Sequence, residues 1–308
     1  MQFSVYQQSH IGGRRVNQDR MGYCFTRDAL LLVLADGMGG HQRGEIAATI
    51  AMQTLSMMFQ MQAKPYIKKP ERFLEEALVQ AHRDILAYTA RHKLPESPRT
   101  TVVACLVQHN CAVWGHCGDS RLYWVRGSQV LAQTRDHSHL EYLIAKGLAS
   151  PLERATHPDR NKLYNCLGAG TPPRIELSPQ AVLVAGDVLL LCSDGLWSMV
   201  PDAEIVQKLA TRSVVQAVPE LVSMATAIGG PRADNTTVLA IGWQGGDQAG
   251  AAGPNVISTR LLPEDQVSST ISNAAAGALD ADPFDEDEIE RAIAEINQAI
   301  EKSSQLLK

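Results

Sequence analysis

The segment Leu30–Ala35 is an unbroken apolar run that stops at Asp36 in a glycine-rich turn, Asp36-Gly37-Met38-Gly39-Gly40-His41. Six apolar residues in a row read as a buried strand. A carboxylate placed where such a strand ends is held rigidly and is still reachable from solvent. The glycines let the backbone come close to a ligand, so the Gly37 carbonyl is a further candidate donor to a cation. Taken alone, the segment reads as an ordinary Asp-Gly turn.

The same device recurs four times. Asp194 and Gly195 follow the apolar run Val188–Cys192, and Asp119 sits in a Gly-Asp-Ser turn between two β-like runs. Asp234 and Asn235 stand immediately before Thr236–Gly242, and Asp19 stands just before Met21–Thr26. Five aspartates at strand margins are hard to read as five unrelated turns. Hard cations such as Mg²⁺ and Mn²⁺ prefer carboxylate, carbonyl and water ligands, so converging aspartates point to that metal class. Two such ions lower the pKa of a bridging water toward neutrality and stabilise both the attacking and the leaving oxygen, which suits hydrolysis of a phosphoester by direct attack of water.

The rest of the chain up to Trp243 alternates short β-like runs with helical patterns. Further candidate strands are Phe3–Ser9, Thr101–Gln108, Cys111–His116, Arg121–Val125 and Gln129–Gln133, several joined by links as short as His109-Asn110. Such links favour hairpins and an antiparallel sheet. Helical patterns cover Gly44–Gln60, Pro70–His92, Glu204–Leu209 and Val214–Ala227. Strand clusters interrupted by paired helices suggest two packed sheets with helices outside. Beyond Trp243 the composition changes: 244–283 reads as a polar, flexible linker, and 284–308 as an acidic helix with Ile289, Ile293, Ile296 and Ile300 on one stripe.

Charge and cysteine usage narrow the function classes. The net charge of −5 divides unevenly, because 12 acids and 4 bases lie from Gln244 onward. The preceding residues carry 21 acids and 24 bases, a mildly basic body that suits an anionic substrate but is too weakly charged for nucleic acid. Six cysteines without a CxxC pair read as reduced core residues and not as a zinc site. No apolar run is long enough to span a membrane and no signal peptide is evident, so a cytoplasmic location is expected.

The ordered set Arg14-x-x-Asn17-Gln18-Asp19, Ala35-Asp36-Gly37-Met38-Gly39-Gly40-His41, Gly118-Asp119-Ser120-Arg121, Ser193-Asp194-Gly195-Leu196-Trp197 and Ala233-Asp234-Asn235-Thr236-Thr237 resembles the metal-dependent protein phosphatase family (PPM, the type 2C class), especially its bacterial members. The resemblance spans Arg14 to Thr237 and implies an α+β fold, a four-layer α-β-β-α sandwich of two antiparallel sheets over residues 1–243. It also implies Mg/Mn-dependent hydrolysis of phosphoserine and phosphothreonine. By motif, Asp36 would bridge two metals, the Gly37 carbonyl would bind one of them, Asp194 and Asp234 would complete the first metal's shell, and Asp19 would hold a metal-bound water. Asp119 resembles a ligand of a weaker third ion, to which Asp136 is a further candidate donor. Arg14 matches the family arginine that grips the substrate phosphate, where a guanidinium fork fits two phosphate oxygens. His41 is a candidate for protonating the leaving oxygen, and equally a histidine capping the helix that follows. Gln18 departs from members that carry Glu there, which implies a weaker second metal.

The polar stretch at about 137–170 resembles the mobile flap beside the active site in bacterial members. The implied partners are phosphorylated proteins and a cognate Ser/Thr kinase, and the C-terminal helix is a candidate for pairing with a partner or with itself. A non-catalytic phosphoprotein-binding regulator is the alternative reading. The intact set Asp36, Asp194 and Asp234 opposes it.

Overall fold

The computed structural model describes residues 1–38, 43–150, 152–153, 157–159, 162–245, 256–260, 262–263 and 266–271. The chain opens with three strands, β1 (Gln2–His10), β2 (Asp19–Phe25) and β3 (Ala29–Asp36), then two long helices, α1 (Gly44–Gln62) and α2 (Pro70–Arg91). Four strands follow: β4 (Val102–Gln108), β5 (Cys111–Cys117), β6 (Arg121–Arg126) and β7 (Gln129–Gln133). After α3 (His139–Ala145) come the short β8 (Glu176–Leu177) and β9 (Ala181–Val182), then β10 (Val188–Cys192). Three helices, α4 (Asp194–Trp197), α5 (Asp202–Thr211) and α6 (Val214–Gly229), lead to β11 (Thr236–Gly245), β12 (Val256–Ser258) and β13 (Ser268–Ser269).

One sheet runs β12-β1-β11-β10-β6-β7, and the other runs β13-β2-β3-β4-β5-β8 with β9 also on β5. Every pairing between these strands is antiparallel. The link His109-Asn110 is a two-residue hairpin turn in which both residues have positive φ, 51° and 57°, the conformation that follows the right-handed twist of the paired strands.

β3 shows why its sequence had to be apolar throughout. Leu30, Leu32 and Leu34 pack between the sheets with Leu189, Leu191, Leu239 and Ile241. Their neighbours Leu31, Val33 and Ala35 pack against Ala47, Ala51 and Leu55 of α1 and Leu74 and Leu78 of α2. Because successive side chains point to opposite faces, a central strand covered on both sides needs apolar residues at every position. On the far side, β10 and β11 meet Leu196, Ile205, Leu209, Leu221 and Val222 from α4, α5 and α6. The result is the four-layer α-β-β-α sandwich that the family resemblance implied. All six cysteines are free thiols, and all but Cys111 are buried. Among the described residues no helix is long and apolar enough to cross a membrane.

One expectation is corrected. The stretch 244–283 is not a linker over its described part, because it adds a strand to each sheet. β11 continues to Gly245, β12 pairs with β1 at Phe3↔Ile257, and β13 pairs with β2 at Ser269↔Cys24. Thr259, fully buried between them, accepts a hydrogen bond from the Met1 amino group at 2.9 Å and donates to the Arg27 carbonyl at 2.6 Å. Ile271 lies over Gly22, where any Cβ would stand 2.6 Å from the Ile271 Cγ1. The polar composition concealed this because the partners are backbone edges, which pair with almost any sequence. The acidic helix expected at 284–308 lies outside the described residues.

Thr259→Val keeps the shape of this side chain and removes its hydrogen bonds to the Met1 amino group and the Arg27 carbonyl. It is expected to lower the free energy of unfolding by about 1–3 kcal/mol in a urea titration.

Candidate active site

The aspartates that mark strand ends in the sequence come together because antiparallel strands bring alternate ends to one rim. Asp36 closes β3 and stands directly opposite Asp19, the first residue of β2. Asp194 opens α4 immediately after β10, and Asp234 precedes β11, the neighbour of β10. Asp119 lies in the turn between β5 and β6, which belong to different sheets. The site is thus built half on each sheet. A cleft of about 460 Å³ is lined by Asp36, Gly37, Asp119, Asp194 and Asp234, with Arg14 and Leu163 also on its wall. Asp19 lies below it, 4% exposed.

Backbone and side-chain hydrogen bonds hold the turns that carry these aspartates. The Asp36 carbonyl accepts from the Thr101 amide and the Thr100 hydroxyl, both at 2.8 Å. Gly37 sits so close to Gly44 that a Cβ would meet its carbonyl carbon at 2.4 Å. No side chain fits there. Ser193 Oγ donates to Asp19 Oδ2 at 2.8 Å and accepts from the Thr237 amide at 3.0 Å, which ties the two sheets together beneath the cleft. Asn235 accepts from the Gln18 amide at 2.8 Å and donates to the Ile11 and Val16 carbonyls, pinning the loop that carries Arg14. Arg14 is a rim residue and donates to Asp234 Oδ2. Gln18 donates to Glu45 at 2.8 Å.

The electrostatics of this arrangement are unfavourable for the bare carboxylates. Burial raises the pKa of Asp36 well above the usual range, and the charges of Asp19, Asp194 and Asp119 raise it further. Burial and then Asp119, Asp234 and Asp19 act in the same direction on Asp194. Asp119 is pushed up to about 7 by burial and Asp136, against the opposing charge of Arg121. Asp19 is raised by burial despite hydrogen bonds from Thr237 and Ser193, and its Oδ1 is buried without a hydrogen-bond partner. Crowded oxygen donors with an unpartnered lone pair fit a hard divalent cation, which would neutralise the mutual repulsion.

A tighter grouping exists elsewhere and is not of this kind. Among the described residues, three ligand atoms come within 4.8 Å of one another at His116, His137 and Glu176. His137 Nδ1 accepts from the Gly118 amide and from Asn165 Nδ2. Its Nε2 therefore keeps the proton and points it toward Glu176, 3.4 Å away. A nitrogen that carries its proton is not a metal ligand, so this cluster is structural. The aspartates of the cleft are spaced more widely, as expected for ions that retain several of their waters.

Asp136, considered for the third ion, is instead engaged by Arg121 at 2.8 Å through both of its oxygens. His41 lies outside the described residues. The flap segment starts with α3, capped by Ser138, and folds back so that Leu163 reaches the cleft. The sequence assigns no role to the clamp residues Ser193, Asn235 and Thr101. Ser193 and Asn235 stand beside motif aspartates, which is the one local signal that pointed to them.

Comparison with known proteins agrees with this architecture. The profile of the family described as Protein phosphatase 2C matches residues 6–226. The serine/threonine phosphatase stp of Listeria innocua is 31% identical over 232 residues, covering 74% of this chain and 90% of its own. The crystal structure of the Mycobacterium tuberculosis serine/threonine phosphatase PstP superposes with a TM-score of 0.71 at 31% identity, covering 80% of this chain and all of that one. The catalytic domain of PstP in complex with two manganese ions gives a TM-score of 0.66 at 30% identity, over 78% of this chain and 98% of that one. Together with these relatives, the sandwich marks a phosphatase of the serine/threonine class. The chain belongs to the protein phosphatase 2C family.

The raised carboxylates set a pH test. A group whose folded pKa lies above its unfolded value binds extra protons when folded, so the metal-free protein loses stability as pH rises. For Asp119 the window runs from about 3.8 to about 7. A cation removes that loss, so the rise in Tm on adding Mn²⁺ is expected to be larger at pH 8 than at pH 5.5. A shift that does not grow with pH would contradict cation binding at these carboxylates.

Proposed function

We propose that the cleft hydrolyses phosphoserine and phosphothreonine in proteins by direct attack of water, opposing a bacterial-type Ser/Thr kinase. The observation that carries this reading is the convergence of Asp19, Asp36, Asp119, Asp194 and Asp234 from both sheets on one rim, with a buried carboxylate oxygen still unpartnered. Asp36, Asp194, Asp234 and the Gly37 carbonyl would hold two divalent cations, Mn²⁺ or Mg²⁺. Asp19 would orient their water, and Asp119 would serve a third, weaker ion. Bound there, the cations supply a water of lowered pKa and screen the charge that develops on the phosphate.

The chain's own groups do the rest. Asp36 faces both halves of the acidic set, because it is paired with Asp19 across the β2–β3 ladder and shares the cleft with Asp194. Arg14 stands at the entrance, with Asp234, Asp194 and Asp36 all favouring its charged form. Its planar fork is suited to a phosphate dianion, which would draw it away from Asp234. Leu163 places an apolar wall of the flap beside the entrance, where a peptide would lie. The two manganese ions in the PstP structure and the names of the relatives support this assignment.

Turnover of a phosphothreonine peptide with Mn²⁺ should stop on adding EDTA. Asp36→Asn is expected to lower kcat by at least about two orders of magnitude, because the shared carboxylate organises the cations. Normal turnover in that variant would rule out the assignment. Arg14→Ala should raise KM by about tenfold, the worth of a charge-assisted contact, with a smaller fall in kcat.

A further inference from the structure

Arg121 ends the Gly118-Asp119-Ser120-Arg121 turn, and its side chain is only 10% exposed. Nε and one terminal nitrogen donate to the two oxygens of Asp136 at 2.8 Å each. The other terminal nitrogen donates to the Tyr123 hydroxyl at 3.2 Å, which in turn donates to Asp202 at 2.8 Å. The guanidinium carbon lies 3.8 Å from the centre of the Trp197 ring. Trp197 ends the turn that Asp194 begins, and its indole N–H donates to the Asp119 carbonyl at 2.9 Å.

The contacts close into a ring. Asp136 is followed by His137, whose backbone amide donates to the Gly118 carbonyl at 3.0 Å and whose Nδ1 accepts from the Gly118 amide at 3.2 Å. Asn165, where the flap returns, donates to the same Nδ1 at 2.7 Å. The flap root is laced by His139 to the Lys162 carbonyl at 2.7 Å and Tyr164 to the His137 carbonyl at 3.0 Å. One guanidinium therefore touches the root of the flap on one side and the turn bearing Asp194 on another; Trp197 bonds the Asp119 carbonyl, and His137, next to Asp136, bonds Gly118.

We propose that Arg121 is a positioning residue that fixes the Asp119 and Asp194 turns relative to each other and to the flap root. The proposal rests on the reading of the cleft as a cation site. Arginine is required by geometry: the fork spans both oxygens of Asp136 while the flat face stacks on the indole, and an ammonium group does neither. A residue present only to neutralise Asp136 would be replaceable by lysine.

The test uses the full chain as wild type, Arg121→Lys, Trp197→Phe and the double variant. Mn²⁺ affinity is followed by electron paramagnetic resonance, and amide hydrogen exchange at 137–139 and 162–165 is measured in EDTA. Arg121→Lys keeps the charge and is expected to weaken the lowest-affinity Mn²⁺ site by about tenfold, the usual scale for a residue behind a ligand. It should also speed exchange at the flap root without metal. Trp197→Phe keeps a ring under the guanidinium but loses the N–H to Asp119, and should show a smaller Mn²⁺ defect. The double variant should be no worse than Arg121→Lys, because both act through one chain of contacts.

A lower Tm in Arg121→Lys with wild-type Mn²⁺ affinity and exchange would overturn the proposal, as would additive defects. Should Arg121→Lys fail to fold, an unaltered Mn²⁺ titration in Trp197→Phe would overturn it alone. Wild-type protein that binds no Mn²⁺ would instead defeat the cation reading, while the exchange measurement would still judge Arg121.

Discussion

Mutual repulsion among carboxylates gathered at one end of two packed sheets is the constraint to which the rest of the molecule answers. Two like charges roughly 5 Å apart repel by about 3 kcal/mol even at an effective dielectric near 20. Here Asp19, Asp119, Asp194 and Asp234 each raise the pKa of at least one other member of the set. No chain would adopt this arrangement for its own stability. It persists because the three apolar layers around the sheets are continuous, and because each acidic turn is held by hydrogen bonds that do not depend on the carboxylate's charge. The Asp36 carbonyl bonded to Thr100 and Thr101 is one example, and Asn235 spanning Gln18, Ile11 and Val16 is another. Stored unfavourable energy of this kind marks a functional site.

Because the acids come from both sheets, the packing between the sheets is also the ruler of the site. Leu30, Leu32 and Leu34 set the depth at which β3 lies over β10 and β11, and thereby set where Asp36 stands relative to Asp194 and Asp234. Ser193 bonded to Asp19 fixes the same relation at the rim. A change in the inter-sheet layer would be felt in the cleft even though no residue of that layer touches it, since close-packed interiors transmit displacement and do not absorb it.

Much of this was legible in the sequence because its signals are local. An apolar run covered on both faces has no polar alternation, so β3, β4 and β10 announce themselves, and Asp-Gly after such a run locates the rim. His109-Asn110 between two β-like runs gives the hairpin. What escaped notice depends on distant partners. β12 and β13 use backbone edges and the small Gly22, and their own polar residues resemble a linker. The turn Asp194–Trp197 is too short for helical periodicity to register. Asp136 resembles one more acidic ligand in the sequence, and only the buried guanidinium fifteen positions earlier shows that its two oxygens are already taken.

That last reassignment changes how the flap relates to the chemistry. A lid on a flexible tether would move independently of the cleft. The segment here leaves the body beside an ion pair buried at both partners and returns at Asn165, which bonds both to His137 and to the Arg174 backbone in two directions. The flap root is therefore a rigid knot, and the knot shares Gly118 and Asp119 with the acidic rim. Breaking it would strand the buried charge of Asp136, at a cost that thermal fluctuation does not supply. The root in this way holds the turn that carries Asp119.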